Sequence, residues 1–305
     1  MKRKLYISPF SLNSLQLTDS DFLDQARRLG FDGIEVERLL KPEYADAAEQ
    51  RGLALVHARL PYETDGRVDE DYIKLLKERG IREVAMINTE TAQRLQSLFQ
   101  AIRGDDPAFR YRGIPGAFGS YDTAMLAAEQ GQREADIAGR YGLKVIYHNH
   151  THEFRIDRGD YVLDTYLKNT PDSIMLQLDI GWALCAGVDV LTWMRQWPGR
   201  IASLHVKPCN WVIGPEALGM TCPLPPDDVG ITRDHMQAIQ AYADSPQGPM
   251  ALNIVDWTSL FTVAEEMGCM TFIHERERIY IPGDILACVR EDYAHLRACL
   301  AAMPE

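Results

Sequence analysis

One pattern constrains this chain more than any other: a short apolar run followed by an amphipathic stretch, repeated eight times from end to end. Strands are expected at 5–8, 33–37, 53–57, 83–87, 143–147, 174–178, 201–206 and 271–274. Helices are expected at 18–29, 42–51, 68–79, 89–102, 121–141, 161–168, 190–196, 257–266 and 285–302. The first of these opens on Thr18-Asp19-Ser20-Asp21, a cluster of N-cap residues, and stops at Gly30. Alternation of this kind is what βα units around a parallel sheet require. No Ser/Gly linker or change of composition divides it, so 1–305 is expected as one α/β domain, a (β/α)8 TIM barrel.

Two segments interrupt the repeat. Residues 104–119 hold two prolines and four glycines, and 208–256 form a connection of roughly 50 residues before the last βα unit. So long a connection in a compact domain is usually a lid, a partner-binding surface or a partly disordered segment. Trp211, Ile213, Leu218, Met220 and Leu224 are apolar enough to pack, so 208–256 is expected as a lid or a partner-binding insertion after the seventh strand.

Charge narrows the partners. With 32 Lys and Arg against 44 Asp and Glu, the net charge is −12, which repels phosphate backbones and anionic lipid. Neither nucleic acid nor a membrane is expected as a partner. No apolar run reaches the 18 or so residues a membrane helix needs, and MKRKLYISPF lacks the apolar core of a signal peptide, so a soluble, cytoplasmic protein is expected. Six cysteines at 185, 209, 222, 269, 288 and 299 have no CxxC spacing and are expected as reduced thiols.

The chemistry is expected at the strand ends, because a barrel of this kind gathers its polar side chains at the C-terminal mouth. Strand five ends in Tyr147-His148-Asn149-His150-Thr151-His152-Glu153-Phe154, strand six in Gln177-Leu178-Asp179, strand seven in His205-Val206-Lys207 and strand eight in His274-Glu275-Arg276-Glu277. One Asp or His after an apolar strand is commonly a helix cap or a core hydrogen-bonding group. Four successive strand ends of this kind point instead to a mixed oxygen and nitrogen site for a divalent cation. With no thiolate on offer, Mn²⁺ is the first expectation and Mg²⁺, Co²⁺ or Zn²⁺ the alternatives.

The run Tyr147-His148-Asn149-His150-x-x-Glu153-Phe154, then Leu178-Asp179-x-x-Trp182-Ala183-x-x-Ala186-Gly187, then Gly199-Arg200-Ile201 through His205-Val206-Lys207, resembles the xylose isomerase-like TIM barrels, a superfamily of sugar isomerases and epimerases. Leu29-Gly30-Phe31-Asp32-Gly33-Ile34-Glu35 resembles its second-strand motif, and Val255-Asp256-Trp257 with Ala264-Glu265-Glu266-Met267-Gly268 the approach to its last strand. The resemblance implies a metal held by a strand-five residue, Asp179, His205 and Glu275. Many relatives carry Glu where this chain has His148. The HNHxxEF subgroup, to which the motif is similar, also offers Glu153, so Glu153 is the expected ligand and His148 or His150 a ligand or base. The chain departs from the family where Pro208 replaces an Asp and Asn253-Ile254 stands in place of glycines. That removes one natural phosphate cradle, and with it the implication of a sugar-phosphate substrate.

Catalytic roles are expected for His148, His150, Glu153 and Glu275, and contacts to substrate from His57, Trp182, Lys207 and Arg276 at the same strand ends. For the last four the structural alternatives are a core histidine, a wall of the mouth, and cationic partners for carboxylates. His152 and His274 alternate with these positions and are expected to point into the strand–helix layer. The implied enzyme takes a proton from carbon beside a polarised carbonyl and returns it, as an isomerase or epimerase of keto-sugars. Its elimination branch would be a keto-inositol dehydratase, or the catalytic subunit of a deglycosidase of 3-oxo-glycosides or C-glycosides. A non-catalytic sugar-binding barrel and a metal-dependent nuclease are the weaker alternatives. The partners implied are a small sugar or glycoside and a second copy of the chain, or a small second subunit in the deglycosidase case.

Overall fold

A computed structural model describes residues 3–89, 119–210, 212 and 247–304 of the 305-residue chain. In chain order its strands are β1 (Lys4–Ile7), β2 (Gly33–Glu35), β3 (Ala54–Val56), β4 (Ala58–Tyr62), β5 (Glu83–Asn88), β6 (Lys144–His148), β7 (Ile156–Asp157), β8 (Asp160–Tyr161), β9 (Ile174–Asp179), β10 (Ile201–Val206) and β11 (Thr271–His274). The helices are α1 (Asp19–Leu29), α2 (Pro42–Gln50), α3 (Glu70–Glu78), α4 (Tyr121–Gly139), α5 (Val162–Lys168), α6 (Ile180–Cys185), α7 (Val190–Met194), α8 (Trp257–Glu266) and α9 (Ile285–Ala302).

Nine strands form one parallel sheet in the order β3-β2-β1-β11-β10-β9-β6-β5-β4, while β7 and β8 make a separate antiparallel ribbon. This is the expected α/β barrel, with one strand in two pieces. The third strand, expected unbroken over 53–57, is interrupted at His57, whose backbone turns left-handed at φ 50°. On one side of the break β3 pairs with β2, and on the other β4 pairs with β5. The ring is therefore closed by the chain itself at His57. Backbone donors hold the corner, since the N–H groups of Val36 and Glu37 both reach the His57 carbonyl at 3.2 Å.

Local chemistry explains the helix boundaries. Thr18 caps α1 by accepting from the Asp21 N–H, acidic residues fill its first turn and Arg27 and Arg28 its last, and Gly30 ends it at φ 97°. Asp69, Asp189, Asp256 and Asp284 cap α3, α7, α8 and α9 in the same way. α4 stops two residues short of its expected end. α6 was not foreseen: Asp179 ends β9 and caps the next helix at once, accepting from the Trp182 N–H at 2.9 Å. The core lies between strands and helices, with Phe272 of β11 against Phe261 of α8 at 4.6 Å between ring centroids. Truncating either ring would cost about 3–5 kcal/mol. The five described cysteines are buried, with no disulfide among them. No described helix is long and apolar enough to cross a membrane. The helix expected over 89–102 lies outside the described residues from 90 onward, as does the insertion at 211 and 213–246.

Candidate metal centre and active site

At the C-terminal end of the sheet a cavity of about 600 Å³ opens among Glu35, His57, His148, Gln177, His205 and Glu275. Each side chain arrives by the alternation of a strand. Residues 177 and 179 share one face of β9, and 205 and 207 share one face of β10 and its extension.

His205 is the centre. Its Nε2 lies 2.9 Å from Glu35 Oε2, while its Nδ1 lies 2.7 Å from Glu275 Oε2 and 4.0 Å from Asp179 Oδ2. The short contact to Glu275 is out of line for a hydrogen bond. Asp179 Oδ2, His205 Nδ1 and Glu275 Oε2 are all buried without a hydrogen-bond partner. Orphaned buried polar atoms are rare in folded proteins, and three facing one another mark a place built for another group. His148 adds a fourth donor, since one ligand atom each from His148, Asp179 and His205 fall within 4.8 Å of one another. Two carboxylates and two imidazoles fit a divalent cation, with Glu35 orienting the imidazole of His205 from behind.

The electrostatics favour the same occupant. The Lys207 ammonium is fully buried, 3.2 Å from Glu275 Oε1, 2.8 Å from Glu277 Oε1 and 3.8 Å from Asp179 Oδ2, above the Trp182 ring at 4.2 Å. Burial opposes its charge, but Asp179, Glu275 and Glu277 outweigh burial and raise its pKa. Burial pushes Glu275 up, yet Lys207 and His205 hold it well below the usual carboxylate range. Burial raises Asp179 to about 7, with the charge of Glu275 adding to the rise and Lys207 and His205 opposing it. His205 is raised because Glu35 and Glu275 outweigh its burial. Glu37 is pushed up to about 10 by burial and then by Glu35. Carboxylates outnumber the fixed cations here, and a divalent ion would restore the balance.

The remaining candidates divide. His148 and His150 line the cavity, and burial pushes His148 down to about 4 and His150 well below its usual value. Glu153, expected on the metal, is placed in a second group with His150 and His152. It accepts from the Tyr147 hydroxyl at 2.5 Å and the His150 N–H at 2.8 Å, and it lies 3.0 Å from His152 Nε2. Burial raises it, but His152 and His150 bring it to about 2. His57 and Trp182 line the cavity. Arg276, expected at the substrate, instead lies fully buried between β11 and α9 with Asp292, because each step along a strand reverses the side chain and Glu275 takes the inward position. His274 meets Asp292 in the same layer. Glu35, Glu37, Gln177 and Tyr147 carry no role in the sequence reading. Their one signal was alternation: Glu35 and Glu37 share a face at one strand end, as Gln177 and Asp179 do at another.

Beside the main cavity lies a second, of about 310 Å³, walled by Leu12, Phe22, Val36 and Tyr44 and sharing Phe10 and Glu37 with the first.

No protein-family model matches the sequence, and no curated protein matches it. Among solved structures the chain is similar to a sugar phosphate isomerase/epimerase from Parabacteroides distasonis, at 18% identity over 98% of this chain and 95% of that one, with a TM-score of 0.61. It is similar to an L-ribulose 3-epimerase at 14% identity over 98% and 95%, with a TM-score of 0.58. It is also similar to a probable 3-DHS dehydratase from Bacillus anthracis at 10% identity over 95% and 97%, with a TM-score of 0.56. A xylose isomerase-like TIM barrel fused to a dioxygenase aligns with 96% of the chain at a TM-score of 0.54. At such identities the likeness establishes a shared barrel and leaves the reaction to the site.

Proposed function

We propose, from the premise that this chain has the xylose isomerase-like barrel fold, that it is a divalent-metal-dependent isomerase or epimerase of keto-sugars. The observation that carries the proposal is the convergence of three buried atoms without a hydrogen bond, Asp179 Oδ2, His205 Nδ1 and Glu275 Oε2, with His148 beside them. These four residues would hold Mn²⁺, or Co²⁺, Zn²⁺ or Mg²⁺ in its place. When bound, such an ion stabilises negative charge developing on a substrate carbonyl oxygen.

The chain's own groups do the rest. A ring nitrogen of His150, neutral because it is buried, takes the proton from the carbon beside the carbonyl. Glu153, bonded to the His150 backbone, positions that residue. Lys207 supplies a fixed positive charge beside the carboxylates, and the Trp182 face suits the C–H face of a sugar ring. Returning the proton to the neighbouring carbon isomerises the sugar, and returning it on the opposite face epimerises it.

The second cavity favours one other reading, in which the substrate carries a substituent that is expelled, as in a dehydratase or a deglycosidase of 3-oxo-glycosides. A nuclease is disfavoured by the net charge of −12. The experiment is incubation of Mn²⁺-loaded protein in deuterated water with keto-sugars, keto-inositol and 3-oxo-glycosides. An epimer or aldose carrying deuterium at the carbon beside the carbonyl, absent with Asp179→Asn, is the expected result. A released leaving group with no such product would overturn the isomerase reading in favour of the lyase.

A further inference from the structure

Gln177 of β9 is buried and touches groups delivered by three other strand ends. Its Nε2 lies 2.5 Å from Glu35 Oε1 and 2.9 Å from His57 Nδ1, and its Oε1 lies 3.1 Å from His148 Nδ1. An amide nitrogen offers two N–H donors, and an amide oxygen only accepts. Glu35 decides which end is which, because a carboxylate oxygen at 2.5 Å is met by an N–H and not by a second acceptor. Glu35 cannot turn away, since its other oxygen is engaged by His205 Nε2 at 2.9 Å.

With the amide so oriented, its second N–H faces His57 Nδ1, which must accept. His57 then carries its proton on Nε2. At the other end the amide oxygen must meet a donor, so His148 carries its proton on Nδ1 and keeps a lone pair on Nε2.

We propose that Gln177 is a positioning residue that locks His57 and His148 in opposite tautomers, so that one cavity offers an N–H from His57 and a lone pair from His148. A lone pair at Nε2 is the state in which an imidazole donates to a cation. An N–H at Nε2 is the state that can donate to a carbonyl oxygen, which only accepts. The substrate class this pair fits is an α-hydroxy ketone, with the carbonyl accepting from His57. That assignment of roles rests on the function proposed above; the tautomers rest on the three contacts of Gln177.

The test is proton–nitrogen correlation spectroscopy of protein carrying ¹⁵N-histidine, recorded with a chelator and again with Mg²⁺. Signals are assigned by their loss in His57→Gln and His148→Gln. The wild type is expected to show His57 protonated on Nε2 and His148 on Nδ1 in both conditions. In Gln177→Glu the atom facing His57 has no second hydrogen to offer, whether or not the new carboxyl shares a proton with Glu35. His57 is then expected to move its proton to Nδ1 while His148 keeps its own. A wild-type proton on His57 Nδ1 or on His148 Nε2 overturns the proposal, as does a Gln177→Glu spectrum with His57 unchanged. Should that variant fail to fold, the wild-type spectrum still decides. Keto-sugar turnover reads the other proposal separately: an inactive protein with these tautomers sinks the isomerase and leaves Gln177 its role.

Discussion

Arg276 clamps Asp292 through two hydrogen bonds, Nε to Oδ2 at 2.5 Å and Nη2 to Oδ1 at 3.0 Å, and thereby ties the strand β11 to the helix α9. His274 meets the same carboxylate at 3.1 Å. Burial would raise the Asp292 pKa, but His274 and Arg276 hold it below its usual value. Because the folded-state pKa lies below the unfolded value of about 3.9, the clamp stabilises the fold above that pH, and the stabilisation is lost as pH falls through the folded pKa. Asp292→Asn should cost about 3–5 kcal/mol near neutrality, since it strands a buried guanidinium. It should also flatten the acid limb below about pH 4. Urea unfolding of both proteins between neutrality and strong acid measures this; parallel curves would count against it.

Lys207 stands among Asp179, Glu275 and Glu277, where its charge is needed most when no metal shares those carboxylates. Lys207→Met should therefore lower the melting temperature more in chelator than in Mn²⁺, with a cost of about 3 kcal/mol in the metal-free protein. Gly181→Ala should be a milder version, because a Cβ there would meet Lys207 Cγ at 2.7 Å and push the side chain aside. Equal losses with and without metal would sink the idea.

Metal binding should release protons and strengthen with pH. Burial and Glu275 raise Asp179 to about 7, and Glu35 and Glu275 favour the doubly protonated His205, yet a ligand set needs an ionised Asp179 and a neutral His205. Calorimetric titration of Mn²⁺ in buffers of different ionisation heat should find proton release and an affinity that climbs through about pH 7. Asp179→Asn should weaken binding at least about 100-fold. An affinity independent of pH would contradict the assignment.

His57 pays its left-handed backbone with strain, which glycine would relieve. His57→Gly should therefore be more stable than His57→Ala by about 1 kcal/mol, although both lose the imidazole and its contact with Gln177. Denaturant midpoints of the two variants decide it, and an alanine variant equal to or better than glycine would remove the strain from the account.

The eight βα repeats were legible because periodicity is a local property, and α8 and α9 lie where the apolar spacing puts them. The meeting of Asp179, His205 and Glu275 was legible too, since a barrel sends all its strand ends to one mouth. What stayed hidden depends on distance in the chain. Glu35 and Gln177 lie 142 positions apart and carry no motif that announces their contact. The break at His57 answers to ring closure, which no window of sequence contains. Arg276 faces away from the mouth because the single step from Glu275 to Arg276, just past β11, separates the mouth from the helix layer. Glu153 left the strand-end register when the chain entered a 3₁₀ turn at His152–Phe154.

The corner at His57 has a consequence for how this protein can change. Elsewhere around the ring adjoining strands are separate segments held by hydrogen bonds, and a loop between them can lengthen without disturbing the wall. Between β3 and β4 there is one residue, so no insertion can be made there without opening the ring. The imidazole that lines the cavity is thus anchored at the least extensible point of the circumference, and the other strand ends have freer scope to change.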